Sequence, residues 1–265
     1  MSHNPEILML HRVLPVFDAD NYYFQRKTAI SWQRFVTLLD EIEAKGLVTL
    51  PASALAHAIP DSAIFLTFDD GYIDNVEALD EILRRKMTAT LFPVKQFVQQ
   101  GFSPIDDMAQ HYMNTDSIPD DTRRSLLTGR LKRLLRVIAS DRYRWLRQRW
   151  FNIKQDSPGI FMNEEQIRFY SERGIELGIH GVSHRLFTQL GTTSLLSELS
   201  ESARWLEHLG QKSKPPLCFP HGKFNHSVLA LASDFSSVYL TVDQQTEVVG
   251  VWRRKWVVEG NVGIS

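Results

Sequence analysis

Two carboxylates stand side by side in Thr67-Phe68-Asp69-Asp70-Gly71, and two histidines stand four apart in His180-Gly181-Val182-Ser183-His184. One carboxylate oxygen and two imidazole nitrogens form a donor set like that of catalytic zinc sites, with positions left open for water and a carbonyl oxygen. Neighbouring side chains after a strand point in different directions, so one aspartate can face an ion while the other faces substrate and acts as a base. The spacing of His180 and His184 suits two ligands of one ion on a helical turn or a curled loop. Each motif alone has a plainer reading. Asp-Asp-Gly is a common turn whose Asp70 would cap the next helix, and nine histidines in one chain make an accidental surface pair common. Together they point to metal-assisted hydrolysis. Cleaving an amide also requires a proton for the departing nitrogen, a task for an imidazole near neutral pH. His11 is the first candidate and His221 the second. The plainer reading of His11 is a buried, hydrogen-bonded core histidine.

The elements that must position these residues alternate. Glu6 to Val13 reads as a buried strand, and Ser31 to Gly46 as a helix with apolar positions at Trp32, Phe35, Leu38, Leu39 and Ile42, capped by Ser31 and ended by Gly46. Ile64 to Phe68 reads as a strand, Val76 to Leu83 as a helix stripe, and Ala89 to Val94 as the next strand, a parallel strand-helix-strand unit. The alternation stops from Gly101 to about Pro158. Within that stretch residues 120–156 hold eleven Lys/Arg against four Asp, interleaved with Leu and aromatics at helical spacing. This is a basic helical insertion, read mainly as a solvated face and alternatively as a landing site for an anionic glycan or partner. Alternation then resumes with helix 163–173, strand Ile175 to Ile179, helix 193–209, strand Leu217 to Phe219, helix 226–232, and strands 237–242 and 248–258.

About seven such strands suit a distorted (β/α) barrel or an open doubly wound sheet, and in both the chemistry gathers at the carboxyl ends of the strands. His11, Asp69, Asp70, His180, His184 and His221 all fall at or just beyond such ends. The 265 residues, 43% hydrophobic and 23% charged, support a sizeable core and exclude disorder as the main state. They are read as a single domain over 1–265. A net charge of −1 supplies no field toward nucleic acid. Cys218 is the only cysteine, which excludes an intramolecular disulfide and a cysteine-based zinc site. No signal peptide and no apolar run of about 18 residues is expected, which reads as a cytoplasmic chain without a transmembrane segment.

TFDDG at 67–71, HGVSH at 180–184 and Phe219-Pro220-His221-Gly222 resemble the first three motifs of the polysaccharide deacetylases, carbohydrate esterase family four, relatives of the chitooligosaccharide deacetylases. The resemblance covers about residues 5–258, with 101–158 outside it. It implies a barrel with one divalent metal, usually zinc. It also implies Asp69 as catalytic base, Asp70, His180 and His184 as metal ligands, and a His221 backbone N–H that helps bind the oxyanion.

Three departures stand out. Gly181 occupies a place where many members carry a hydroxyl that orients the site. The motif that supplies a late histidine as general acid has no counterpart, since no histidine follows His226. The tryptophan-bearing fourth motif is not evident, although Arg253 and Arg254 occupy its region. His11 therefore becomes the substitute acid, because in a closed barrel the first and last strands are neighbours.

The expected function is a hydrolase of carbon–nitrogen bonds other than peptide bonds. It would remove N-acetyl or O-acetyl groups from a cell-envelope polysaccharide or its lipid-linked precursor, with peripheral contact to the latter. The competing readings are a deformylase or other carbon–nitrogen hydrolase on a sugar, and a noncatalytic glycan-binding protein that retains the metal.

Overall fold

The computed structural model describes residues 5–101, 103–113, 159–242 and 248–260 without a break, together with parts of 121–149 and residue 264. The chain opens with strand β1 (Glu6–Leu10), β2 (Arg12–Leu14), the short helix α1 (Tyr22–Gln25), β3 (Ala29–Ser31) and helix α2 (Trp32–Ala44). Next come β4 (Val48–Thr49), β5 (Ala63–Asp70), α3 (Asn75–Arg84), β6 (Thr90–Pro93), α4 (Lys95–Gln100) and α5 (Pro104–Met113). Helices Arg130–Leu135 and Glu164–Ser171 lead to β7 (Glu176–Leu177), and helix Thr192–His208 to β8 (Leu217–Cys218). Helix His226–Ala232 then precedes β9 (Tyr239–Thr241), β10 (Val251–Arg253) and β11 (Lys255–Trp256).

Every ladder among the described strands is parallel. One sheet runs β11-β1-β5-β6-β7 and another β10-β9-β8. On one side they join at the Ile179–Leu217 bridge, where the Cys218 N–H donates to the Ile179 carbonyl at 2.9 Å. On the other side the chain itself makes the join: β10 pairs with β9, and after Arg254 the same segment, as β11, pairs with β1. The Arg254 N–H donates to Thr241 and that of Val257 to Met9. The result is a distorted (β/α) barrel of seven strand positions, with β10 and β11 sharing one. β2 and β3 stand apart as a two-stranded ribbon.

Alternation along the strands sorts their residues. Leu8, Leu10, Ile64, Leu66, Phe68, Leu91 and Leu177 pack outward under Phe35, Leu38, Leu79 and Ile82 of the covering helices. Ile7, Phe65, Phe92, Cys218 and Leu240 pack together inside the ring. All eight residues of β5 are buried because both faces are covered. Asp69 shares its parity with Phe65 and so faces the lumen.

Several expected elements end elsewhere. The strand expected over Glu6 to Val13 breaks at His11, and that expected over 248–258 breaks at Arg254. Asp69 and Asp70 are the last residues of β5, paired with Phe92 and Pro93, rather than a turn after it. Within 101–158 the described residues include helices α5 and Arg130–Leu135, and most of the basic stretch 120–156, where the insertion is expected, lies outside the described residues. Among the described residues no helix is long and apolar enough to cross a membrane.

Candidate active site

At the carboxyl ends of the strands a cavity of about 850 Å³ is lined by His11, Asp69, Asp70, His180, His184 and His221 together. Asp70 ends β5 with a backbone φ of +69°, which swings its side chain away from the lumen direction of Asp69. Its Oδ1 lies 3.6 Å from His180 Nε2 and 3.5 Å from His184 Nε2, and the two nitrogens are 3.1 Å apart. His180 is held by its other nitrogen, 2.9 Å from the Cys218 carbonyl oxygen. A donor Nδ1–H there leaves the Nε2 lone pair aimed at the triangle, the usual support of a metal-ligating histidine.

The triangle fits a divalent ion. Donors about 2.0–2.1 Å from a tetrahedral zinc stand roughly 3.4 Å apart, close to the three edges found. Asp70 Oδ1 is buried without a hydrogen-bond partner. Burial, then the neighbouring charges of Asp69 and Asp106, push the Asp70 carboxyl well above the usual range, so the place calls for a positive charge.

Asp69 has a different partner. Arg254 Nη1 donates to Oδ1 at 2.6 Å and Nη2 to Oδ2 at 2.7 Å, a two-pronged pair with both side chains almost wholly buried. Burial alone would raise the Asp69 carboxyl. Arg254, with smaller help from His180 and His11, outweighs it and holds the group well below the usual carboxylate range. Arg254 also donates to Thr67 Oγ1 at 3.1 Å and lies 2.7 Å from Cys218 Sγ. Asp69 Oδ2 is 4.0 Å from His180 Nε2 and equally 4.0 Å from His11 Nε2, so it looks toward the triangle.

His11 follows β1 and stacks on Trp256, with centroids 5.1 Å apart and planes 5° from parallel. The contact exists because β1 and β11 are neighbours, with Met9 opposite Trp256. Burial brings the His11 imidazole down to about 4, with Asp69 only partly opposing. His221 packs edge-on against His184 at 4.5 Å, with φ +58°.

The loop that carries His184 is gripped from helix Thr192–His208. Glu198 Oε2 accepts from the N–H groups of Val182 at 2.6 Å and Ser183 at 3.0 Å, and Oε1 accepts from the Ser183 hydroxyl. A Cβ on Gly181, whose φ is +85°, would lie 3.0 Å from Glu198 Oε2 and 3.1 Å from the Phe187 ring. Glycine at 181 thus lets the carboxylate close on the loop. Trp256, Cys218 and Glu198 were not singled out by the sequence motifs, and Arg254 was placed only in the region of the fourth motif, without a role.

A family model described as polysaccharide deacetylase matches residues 57–240. No curated protein matches the sequence at a significant level. Among solved structures, the Streptococcus pyogenes deacetylase PplD in complex with acetate is 14% identical, with a TM-score of 0.64 over 96% of this chain and 92% of that one. A de-N-acetylase from Aggregatibacter actinomycetemcomitans is 15% identical, with a TM-score of 0.63 over 97% and 96%. IcaB from Ammonifex degensii is 17% identical, with a TM-score of 0.61 over 97% and 93%. At these identities the likeness speaks for the fold.

Proposed function

The chain belongs to the polysaccharide deacetylase family, and from that premise we propose that it is a metal-dependent hydrolase removing N-acetyl groups from a cell-envelope glycan or its lipid-linked precursor on the cytoplasmic side. The reading is carried by one juxtaposition: the Asp70–His180–His184 triangle beside an aspartate that is ionised and fixed by Arg254. The solved proteins of like fold, one a de-N-acetylase and one a deacetylase in complex with acetate, support the choice of acetyl as the group removed.

Asp70, His180 and His184 would hold the ion, zinc by its preference for this donor set, and when bound it supplies Lewis acidity toward the acetyl carbonyl and lowers the pKa of water from 15.7 toward ~7. Asp69 accepts the proton of the attacking water at Oδ2, the oxygen that faces the triangle. Its depressed pKa makes it a weak base but keeps it ionised, and the Arg254 fork fixes its direction before substrate arrives. His11, neutral at rest, has Nε2 4.0 Å from Asp69 Oδ2. That gap is longer than a hydrogen bond, so a water or the substrate between them would carry the proton gained at Asp69 to His11, which passes it to the departing nitrogen. The His221 backbone N–H assists at the oxyanion.

Acetate release from an acetylated chitooligosaccharide, with an O-acetylated glycan in parallel, tests the reading on metal-loaded and metal-stripped protein. Release that requires metal and falls on the order of 10²- to 10⁴-fold in Asp69→Asn is expected. Glycan binding without turnover by the loaded protein would refute it.

A further inference from the structure

The cavity extends beyond the triangle to a wall made by Ser103, Pro104, Ile105 and Asp106 of the insertion. Asp106 is only 5% exposed. Tyr72 Oη donates to its Oδ1 at 3.1 Å and the Ser103 hydroxyl donates to Oδ2. The nearby Arg12 is committed elsewhere, with Nη2 2.6 Å and Nε 2.7 Å from Asp74 Oδ2. Asp106 is thus a carboxylate buried at a cavity surface and solvated by hydroxyls rather than by a cation. Such a group is expensive to keep unless it serves a ligand. An ionised carboxylate has about four acceptor positions, and two hydroxyl donors leave room for a further one.

Tyr72 also links this wall to the strand that carries the chemistry. It stands two residues after Asp70, the end of β5, and gives its one hydroxyl proton to Asp106. Asp70 and Asp106 line the same cavity. A sugar whose acetamide sits at the triangle therefore has this wall within the same cavity, where its ring hydroxyls can meet it. The ring faces of Tyr23 and Tyr72 are already occupied, Arg12 lying 4.2 Å over one and Phe161 stacking on the other at 4.9 Å. Recognition on this wall is therefore by hydrogen bonding rather than by stacking.

We propose that Asp106 is a substrate-binding residue that accepts a hydrogen bond from a ring hydroxyl of the acetylated sugar, so that the insertion selects hydroxyl-bearing acetamides. This deepens the deacetylase reading and rests on it.

The test is the ratio of kcat/KM on an acetylated chitooligosaccharide to that on 4-nitrophenyl acetate, which has no sugar hydroxyl, measured on metal-loaded wild type, Asp106→Asn and Asp106→Ala. The ratio should fall roughly 10- to 100-fold, mostly through KM on the glycan, as expected for losing a hydrogen bond to a charged group. An unchanged ratio, whether activity is kept or lost equally on both substrates, overturns the proposal. A measurement that needs no variant stands beside it: wild type assayed on monodeoxy analogues of an N-acetylglucosamine glycoside should lose about tenfold or more on one of them, and rates all within twofold would overturn it. Wild type that cleaves the aryl ester but no acetylated sugar refutes the deacetylase reading itself. Cleavage of both with an unchanged ratio refutes only the role of Asp106.

Discussion

Arg254→Met removes both donors from Asp69 and leaves a carboxylate in the barrel lumen, since the paired side chains are 2% and 4% exposed. Breaking a buried pair from one side costs about 3–5 kcal/mol, much of it the stranded charge. At roughly 2–4 °C per kcal/mol for a chain of this size, melting should fall by about 6–20 °C. The pH dependence should also change sign. In the wild type the folded Asp69 pKa lies below its unfolded value, so its contribution to stability is present above the ordinary carboxylate range and is lost as pH falls through the folded value. Without Arg254 burial dominates and the folded pKa rises above the unfolded one. The contribution is then favourable at low pH and is lost as pH rises through about 4 and above. Melting from pH 4 to 8 and a pH–rate profile, each with metal content measured, read both effects, and the acid limb of activity should move upward. Adding Asp69→Asn removes the stranded charge and should recover much of the stability while activity stays lost. A double variant as destabilised as the sum of the two singles would refute the reasoning, as would an Arg254→Met protein with wild-type melting and an unmoved acid limb.

Asp70→Ala, His180→Ala and His184→Ala should each lose bound zinc by elemental analysis, because a three-ligand site cannot hold its ion tightly with a donor missing. Stoichiometric zinc in all three would reject the triangle. Glu198→Ala frees two backbone N–H groups beside His184 and should weaken metal affinity on the order of 10- to 100-fold in chelator competition; wild-type affinity would reduce Glu198 to a packing role. His11→Ala should keep its metal yet cleave amides about 10²- to 10⁴-fold more slowly, with much smaller loss on an activated ester that needs no proton at its leaving group. Equal losses on both substrates would exclude His11 as the acid.

Where the sequence was legible, apolar period and a cap acted together. Ser31 accepts from the Arg34 N–H at 3.2 Å at the start of α2, and helix His226–Ala232 begins at Asn225, whose side chain accepts from Val228. Strand ends were less legible, because a strand that reaches a polar site keeps its ladder after its hydrophobic run has stopped: Asp69 and Asp70 stay paired to β6. Arg254 could not be told from Arg253 by composition. One is buried and the other exposed because the chain changes partners at that point, leaving β9 for β1. Glu198 did leave a signal. It lies on the buried stripe of its helix, with Leu195, Leu199, Ser202 and Leu206, where a carboxylate is out of place unless something needs it. Asp106, just before buried Met108 and Ala109, is a second case.

Backbone geometry separates the residues that close helices from those that build the site. Among the described residues, five other than glycine have positive φ: Lys27, Asp70, Lys86, His184 and His221. Lys27 and Lys86 lie just beyond the ends of α1 and α3, a common place for left-handed backbone. Asp70, His184 and His221 close no α-helix, and all three line the cavity. Asp and His are among the side chains that tolerate this region best, yet each costs something relative to glycine. Glycine would relieve the backbone at these positions but could supply neither a carboxylate nor an imidazole. The barrel core and the Glu198 clamp therefore hold in place a conformation that the local sequence alone would not choose, and local preference fails where the donor atoms have to converge.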